Sequence, residues 1–151
     1  MSLSFLEDIK NWEDVGAGAT AVGVIVALVA ASITYYQYRG AKEIQRETTA
    51  KQIYSNYLEL AIQYPNLTSG IMPSDLLEYE RYEWFVSFML NVFEHILNAV
   101  GNDEEWRKTV VGQIEYHQDY FLNDAEFKAE DYYYYDPKIR SMIDKVCGTN
   151  K

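Results

Sequence analysis

The stretch GAGATAVGVIVALVAASITYY, from Gly16 to Tyr36, contains no acidic, basic or histidine side chain. A helix over residues 15–35 rises roughly 30 Å at ~1.5 Å per residue, which matches the hydrocarbon thickness of a bilayer. A cleavable signal peptide is disfavoured, because the preceding segment is acidic and the apolar run is too long. A buried core helix would need a larger surrounding protein than 151 residues supply. We therefore predict a transmembrane helix over residues 15–36.

The flanks of this segment predict its orientation. Aromatic and long basic side chains are typical anchors at membrane interfaces, and both ends of the segment carry them: Trp12, Tyr35, Tyr36, Tyr38 and Arg39. Only Lys10 precedes the segment, whereas four basic residues lie close after its end: Arg39, Lys42, Arg46 and Lys51. The positive-inside rule then predicts a single-pass protein of the inner (plasma) membrane. Residues 1–14 would form a short extracytoplasmic tail, and the C-terminal domain would be cytoplasmic.

Small residues gather on one side of the predicted span. At about 100° per residue, roughly one third of the helix surface carries a set of small side chains: Ala19, Gly23, Ala27, Ala30, Ala31 and Thr34. Membrane helices associate through close van der Waals contact, which small residues permit. Such residues are also common in membrane helices generally, but their segregation onto one face favours an interface. Because each chain has one span, we predict a homo-oligomer held by these residues.

The remainder of the chain predicts an all-α fold. Only 3 Pro and 8 Gly occur in 151 residues, so the chain has few helix breakers. No Pro interrupts residues 15–64, and the span can continue through a helical stalk over 37–64, with Gly40 as the one candidate hinge. A small helical bundle would follow over residues 65–151. The run Tyr132 to Tyr135 has strand propensity but no evident partner strand.

Helix ends within the bundle are predicted from capping residues. Ser74 or Asp75 is expected to cap a helix with a wide apolar face, and Gly101 to end it. A second span over residues 85–100 is disfavoured, because it is short and contains Asn, Glu and His side chains. Asn102 or Asp103 is expected to cap a helix that extends to Phe121. The segments NLTSGIMPS and LNDAEFKAEDYYYYD are predicted connections. Pro137 is expected to open a last short helix.

The sequence predicts no catalytic, cofactor or metal site. The net charge of −10 disfavours nucleic acid as a partner. No glycine-rich phosphate loop, serine nucleophile motif or dinucleotide fingerprint is present. His117 lies on an apolar helix face and is interpreted as a core residue rather than a ligand. The tyrosine cluster of residues 132–135 is interpreted as a packing surface or as a protein interface with aromatic anchors.

Several short motifs resemble a broad group of uncharacterised bacterial proteins in which one membrane helix precedes a small helical domain. The motifs are Tyr35-Tyr36-Gln37-Tyr38-Arg39, Tyr64-Pro65-Asn66-Leu67, Phe93-Glu94, Glu104-Glu105-Trp106, Phe127 and Asp136-Pro137-Lys138-Ile139-Arg140. The resemblance covers most of the chain. It implies this architecture and a bacterial or phage origin, and it implies no activity.

The layout is also similar to small membrane effector and accessory proteins of antiviral systems, including CRISPR-associated ones, whose helical domain is of HEPN-like type. HEPN ribonucleases use an Arg and a His separated by four to six residues. Here Arg81 and Arg107 precede His95 and His117 at other spacings. Nuclease activity is therefore not carried over from this resemblance.

Two function hypotheses follow. In the first, the chain is a non-enzymatic, self-assembling membrane effector whose cytoplasmic domain senses or transmits a signal, with an antiviral, membrane-perturbing role. In the second, it is a membrane-anchored adaptor or accessory subunit of a larger complex. A degenerate HEPN-like nuclease is a distant third. The predicted partners are the lipid bilayer, other copies of the chain, and a cytoplasmic protein or small-molecule trigger.

Overall fold

The computed structural model describes the backbone of residues 3–148 and the side chains of residues 22–148. Within that range the chain is all-α, as predicted, and contains no β-strand. Seven α-helices and one short 3₁₀-helix follow one another: α1 Leu3–Gln63, α2 Pro65–Thr68, α3 Leu76–Val100, α4 Glu104–Tyr116, α5 Gln118–Asn123, α6 Ala125–Ala129, the 3₁₀-helix Asp131–Tyr134, and α7 Pro137–Cys147.

The long helix α1, Leu3–Gln63, includes residues of both the apolar stretch and the predicted stalk. It passes through Gly40 without a break and ends at Gln63, two residues before Pro65. A proline amide has no N–H to donate, and its ring disfavours helical geometry in the residue before it. The chain divides into two compact units, Met1–Glu43 and Ile44–Lys151. All residues of the helical bundle described below belong to the second unit.

The predicted transmembrane helix needs correction. Among its described residues, the structure holds no helix that is both long enough and apolar enough to cross a membrane. Crossing a ~30 Å hydrocarbon core takes about 20 consecutive, predominantly apolar residues in one helix. Residues 15–21 of the predicted span lie outside the described side chains. The predicted location, single-pass in the inner membrane with a cytoplasmic C-terminal domain, is therefore wrong on the described residues.

Local capping explains where the bundle helices begin and end. The Asp75 carboxylate accepts hydrogen bonds from the backbone N–H groups of Leu77 and Glu78 at 3.1 Å each, so Asp75 is the cap of α3. Gly101 ends α3 with φ +70°, a conformation that glycine adopts without steric cost. Asp103 caps α4, and Asp136 caps α7 with Pro137 in its first turn. These boundaries confirm the sequence predictions.

Two connections differ from the predictions. Pro65 starts the single turn α2, which extends to Thr68 into the predicted loop NLTSGIMPS, because a proline needs no amide partner at a helix start. The predicted polar connection after Phe121 contains α6, capped by Asp124, and then the 3₁₀-helix. The run Tyr132 to Tyr135, which has strand propensity, thus begins in a 3₁₀ turn. α4 also stops at Tyr116 instead of extending to Phe121.

The core forms around α3. Its buried face carries Phe85, Met89, Phe93 and Leu97, and Phe93 is fully buried. Tyr57 of α1 packs against α3, with its ring centroid 5.4 Å from that of Phe93. The core is completed by side chains of α4 and α7: Val110, Ile114, Ile139, Met142 and Ile143. The predicted bundle is confirmed.

Several tyrosines in or against the core have a hydrogen-bond partner for the phenol hydroxyl. The Tyr57 hydroxyl donates to Gln113 Oε1 at 3.0 Å, which joins α1 to α4. The Tyr79 hydroxyl donates to the Asp124 carboxylate, and the Tyr132 hydroxyl donates to Asp144 at 2.8 Å. A buried phenol contributes a large apolar area and needs only one hydrogen bond.

Candidate functional site

From Val22 to Ile33, the apolar part of α1 is exposed around its whole circumference. Its large aliphatic side chains keep between 52% and 63% of their surface in contact with solvent: Val22, Val24, Ile25, Val26, Leu28, Val29 and Ile33. A soluble helix normally has a polar face toward water and one apolar stripe toward a neighbour. This stretch is therefore an uncovered apolar surface.

The predicted interface residues share this exposed stretch. Gly23, Ala27, Ala30, Ala31 and Thr34 are all exposed, and nothing lies within 4 Å of a Cβ placed on Gly23. The Ala19 side chain lies outside the described residues. The Thr34 hydroxyl already donates to the Ala30 carbonyl at 2.9 Å. A second helix could therefore cover this face without leaving that hydroxyl unpaired. The interface itself stays a prediction.

The predicted membrane anchors are exposed at the end of the apolar stretch. The rings of Tyr35 and Tyr36 meet edge to face with centroids 6.0 Å apart, and the Arg39 guanidinium lies 6.0 Å from the Tyr35 centroid. Tyr38 is 64% exposed. The Trp12 side chain lies outside the described residues. The anchoring role depended on the spanning helix that is corrected above.

The two histidines have opposite environments. His117 is 1% exposed, and its Nδ1 atom shares a 2.8 Å hydrogen bond with the Tyr82 hydroxyl. Burial lowers the pKa of His117 to about 4, so the ring is neutral at pH 7. His95 is exposed on α3. His117 is thus a core residue, as predicted, and its ring is not accessible to a substrate.

Two further groups with metal-binding or nucleophilic chemistry, Glu94 and Cys147, are partly buried. No group of three or more His, Cys, Asp or Glu that could hold a metal ion occurs among the described residues. The Glu94 carboxylate accepts a hydrogen bond from the Asp136 backbone N–H just before α7. Cys147 is half-buried, and burial followed by the charge of Asp144 raises the pKa of its thiol.

The tyrosine cluster of residues 132–135 is divided between packed and exposed rings, and its interface role stays a prediction. Tyr132 and Tyr135 are half-buried, with ring centroids 6.3 and 6.1 Å from that of Phe127. Tyr133 and Tyr134 are 66% and 82% exposed. The first pair packs the 3₁₀ segment onto the core, and the second pair leaves aromatic surface in contact with water.

An apolar groove lies between the end of α1, α2 and α3. It has a volume of about 600 Å³, and its walls include Leu60, Tyr64, Leu67, Trp84 and Phe88. Trp84 is 78% exposed and Phe88 is 42% exposed. Exposed aromatic side chains beside a concave apolar surface are typical of protein–protein contact sites.

A smaller acidic cleft of about 310 Å³ adjoins the groove at Trp84. Glu83, Glu126 and Asp131 line the cleft, together with Tyr134. Burial raises the pKa of Glu83, and the charges of neighbouring carboxylates, including Glu126 and Asp131, raise it further. None of the described residues that line the cleft is basic. The cleft therefore presents a concentrated negative potential to solvent.

Sequence reasoning did not single out Trp84. The apolar face of α3 was defined from Phe85 onward, and Trp84 lies next to that face rather than on it. The sequence did contain a sign of this surface: Trp84 is an aromatic residue beside the core face of an amphipathic helix. A second aromatic residue, the half-exposed Phe88, follows four positions later on the same side.

Comparison of the chain with models of protein families, with curated proteins and with solved structures gave no match. The two resemblances drawn from the sequence motifs therefore stay predictions.

Proposed function

We propose that this protein is a non-enzymatic assembly module whose copies associate through the apolar stretch of α1. The observation that carries the proposal is the exposure of aliphatic side chains from Val22 to Ile33 on every side of the helix. Covering the exposed half of one such side chain contributes about 1–1.5 kcal/mol, so several of them per chain favour association. The small residues Gly23, Ala27 and Ala31 allow the closest approach of a second helix.

Gly23→Leu in the full chain tests this function. Sedimentation velocity across a range of concentrations should give an oligomer for the wild type and an association weakened by about tenfold or more for the variant, because the leucine holds the helices apart. Gly40→Leu is the matched control. It makes the same change in the same helix, also in open space, and should leave association unchanged. A wild-type chain that sediments as a monomer at every concentration would contradict the proposal.

The bundle supports a second function, that of an adaptor that holds a partner protein. The observation that favours it is the groove with its exposed Trp84 and Phe88, which the bundle itself leaves uncovered. The antiviral role implied by the resemblance is a further proposal, tested by phage plating on bacteria with and without the chain.

A further inference from the structure

The exposed side of α3 is organised as one continuous strip. Leu77, Arg81, Trp84 and Phe88 follow one another at intervals of three or four residues and so share one face of the helix. The opposite face is buried in the core, with Phe85 and Met89 at 5% and 0% exposure. Arg81 is paired with Glu78 at 2.6 Å within the same helix. The strip is therefore mainly apolar, and the charge of its basic residue, Arg81, is balanced by Glu78.

Trp84 connects this strip to the acidic cleft. The same indole lines the apolar groove on one side and the cleft with Glu83, Glu126 and Asp131 on the other. A ligand that covers Trp84 and extends both ways meets aliphatic and aromatic walls first, and then three carboxylates. It gains from burying apolar side chains in the groove and from placing a cation among the carboxylates.

We propose that this combined surface binds a basic amphipathic helix of a partner protein. The proposal rests on the adaptor function above and adds the chemistry of the partner. Apolar side chains at helical spacing would fill the groove, and a Lys or Arg one turn away would enter the cleft. Charge complementarity favours a basic helix over other occupants. An acidic or neutral helix has no cation to compensate the cost of desolvating three carboxylates when the cleft is covered.

The test uses a fluorescein-labelled peptide of about 18 residues, roughly five helical turns. Its Leu residues are spaced three and four apart so that they share one face of a helix, and Lys residues occupy the other face. Binding to the full chain is measured by fluorescence anisotropy. A second peptide with Glu in place of every Lys is the ligand control. The lysine peptide should bind at least about tenfold more tightly than the glutamate peptide, and added salt should reduce that preference.

Variants then locate the site. Trp84→Ala should weaken binding of the lysine peptide by about tenfold or more, as loss of a central aromatic anchor does. Tyr116→Ala removes another exposed aromatic ring, 64% exposed on α4, and should change binding less than about twofold. Circular dichroism should show unchanged helix content in both variants.

Glu83→Gln combined with Asp131→Asn removes two charges from the cleft. This double change should weaken binding of the lysine peptide by about tenfold and make that binding less sensitive to salt. Glu43→Gln with Glu59→Gln removes the same charge from exposed sites of α1 and should leave binding unchanged. The proposal is overturned if both peptides bind alike or if neither binds. It is also overturned if Trp84→Ala abolishes self-association, since the occupant would then be a second copy. Self-association is measured separately, by sedimentation of the wild type and Gly23→Leu. The proposed assembly function and the proposed partner can therefore be refuted independently of each other.

Discussion

His117 should make the folded chain less stable in mildly acidic solution. Its imidazole is 1% exposed and hydrogen-bonded to Tyr82 at 2.8 Å. Burial lowers its pKa from the ordinary 6.5 to about 4, because a charged ring would lose its hydration in the core. At a pH between these two values, the His117 imidazole is therefore mostly protonated in the unfolded chain and mostly neutral in the folded chain.

The sign and size of the effect follow from this difference. His117 is a base whose folded pKa lies below its unfolded pKa, so the unfolded state binds more protons between pH 6.5 and about 4. Stability must fall as the pH falls through that window. At pH 5.5 the unfolded histidine is mostly protonated and the folded one is neutral, which costs roughly 1 kcal/mol of unfolding free energy relative to pH 7.5.

Urea unfolding followed by far-UV circular dichroism at pH 7.5 and 5.5 measures this cost. His117→Gln should destabilise the chain at pH 7.5, because it changes a packed and hydrogen-bonded core residue. Its loss of stability between the two pH values should be smaller than that of the wild type by roughly 1 kcal/mol. His95→Gln replaces the exposed histidine and should keep the full wild-type loss. If His117→Gln and the wild type lose equal stability on acidification, the reasoning about the buried imidazole is refuted.

Three further predictions concern stability in urea at pH 7.5. Phe93→Ala removes a fully buried ring at the centre of the core and should cost about 3–5 kcal/mol; a loss below 1 kcal/mol would contradict the assignment of the core. Gly70→Ala should be far more costly than Gly148→Ala: both glycines have positive φ, but a Cβ on Gly70 would lie 1.6 Å from the Tyr116 carbonyl oxygen, whereas Gly148 faces open space. Equal losses for the two variants would speak against that close approach. Asp103→Ala removes the cap of α4 and should cost about 1 kcal/mol, whereas Asp103→Asn should recover most of it.

Local features of this chain could be predicted from the sequence because their causes are local. The caps Asp75, Asp103 and Asp136 act on backbone amides two or three residues away, so their effect does not depend on the rest of the fold. The unbroken α1 follows from the absence of proline before Pro65. The all-α class and the buried face of α3 follow in the same way from helical periodicity.

Only the tertiary structure decided which side chains are covered. The apolar pattern continues from Trp106 through Phe121, yet the helix breaks at His117, whose ring is enclosed beside Tyr82 in the core. Tyr132 and Tyr134 have the same secondary-structure propensity, but Tyr132 packs on Phe127 whereas Tyr134 is exposed to solvent. Trp84 is exposed because neither α1 nor the segment after α5 covers it. Burial depends on which distant segments meet in space, and single-sequence periodicity carries no information about those pairings.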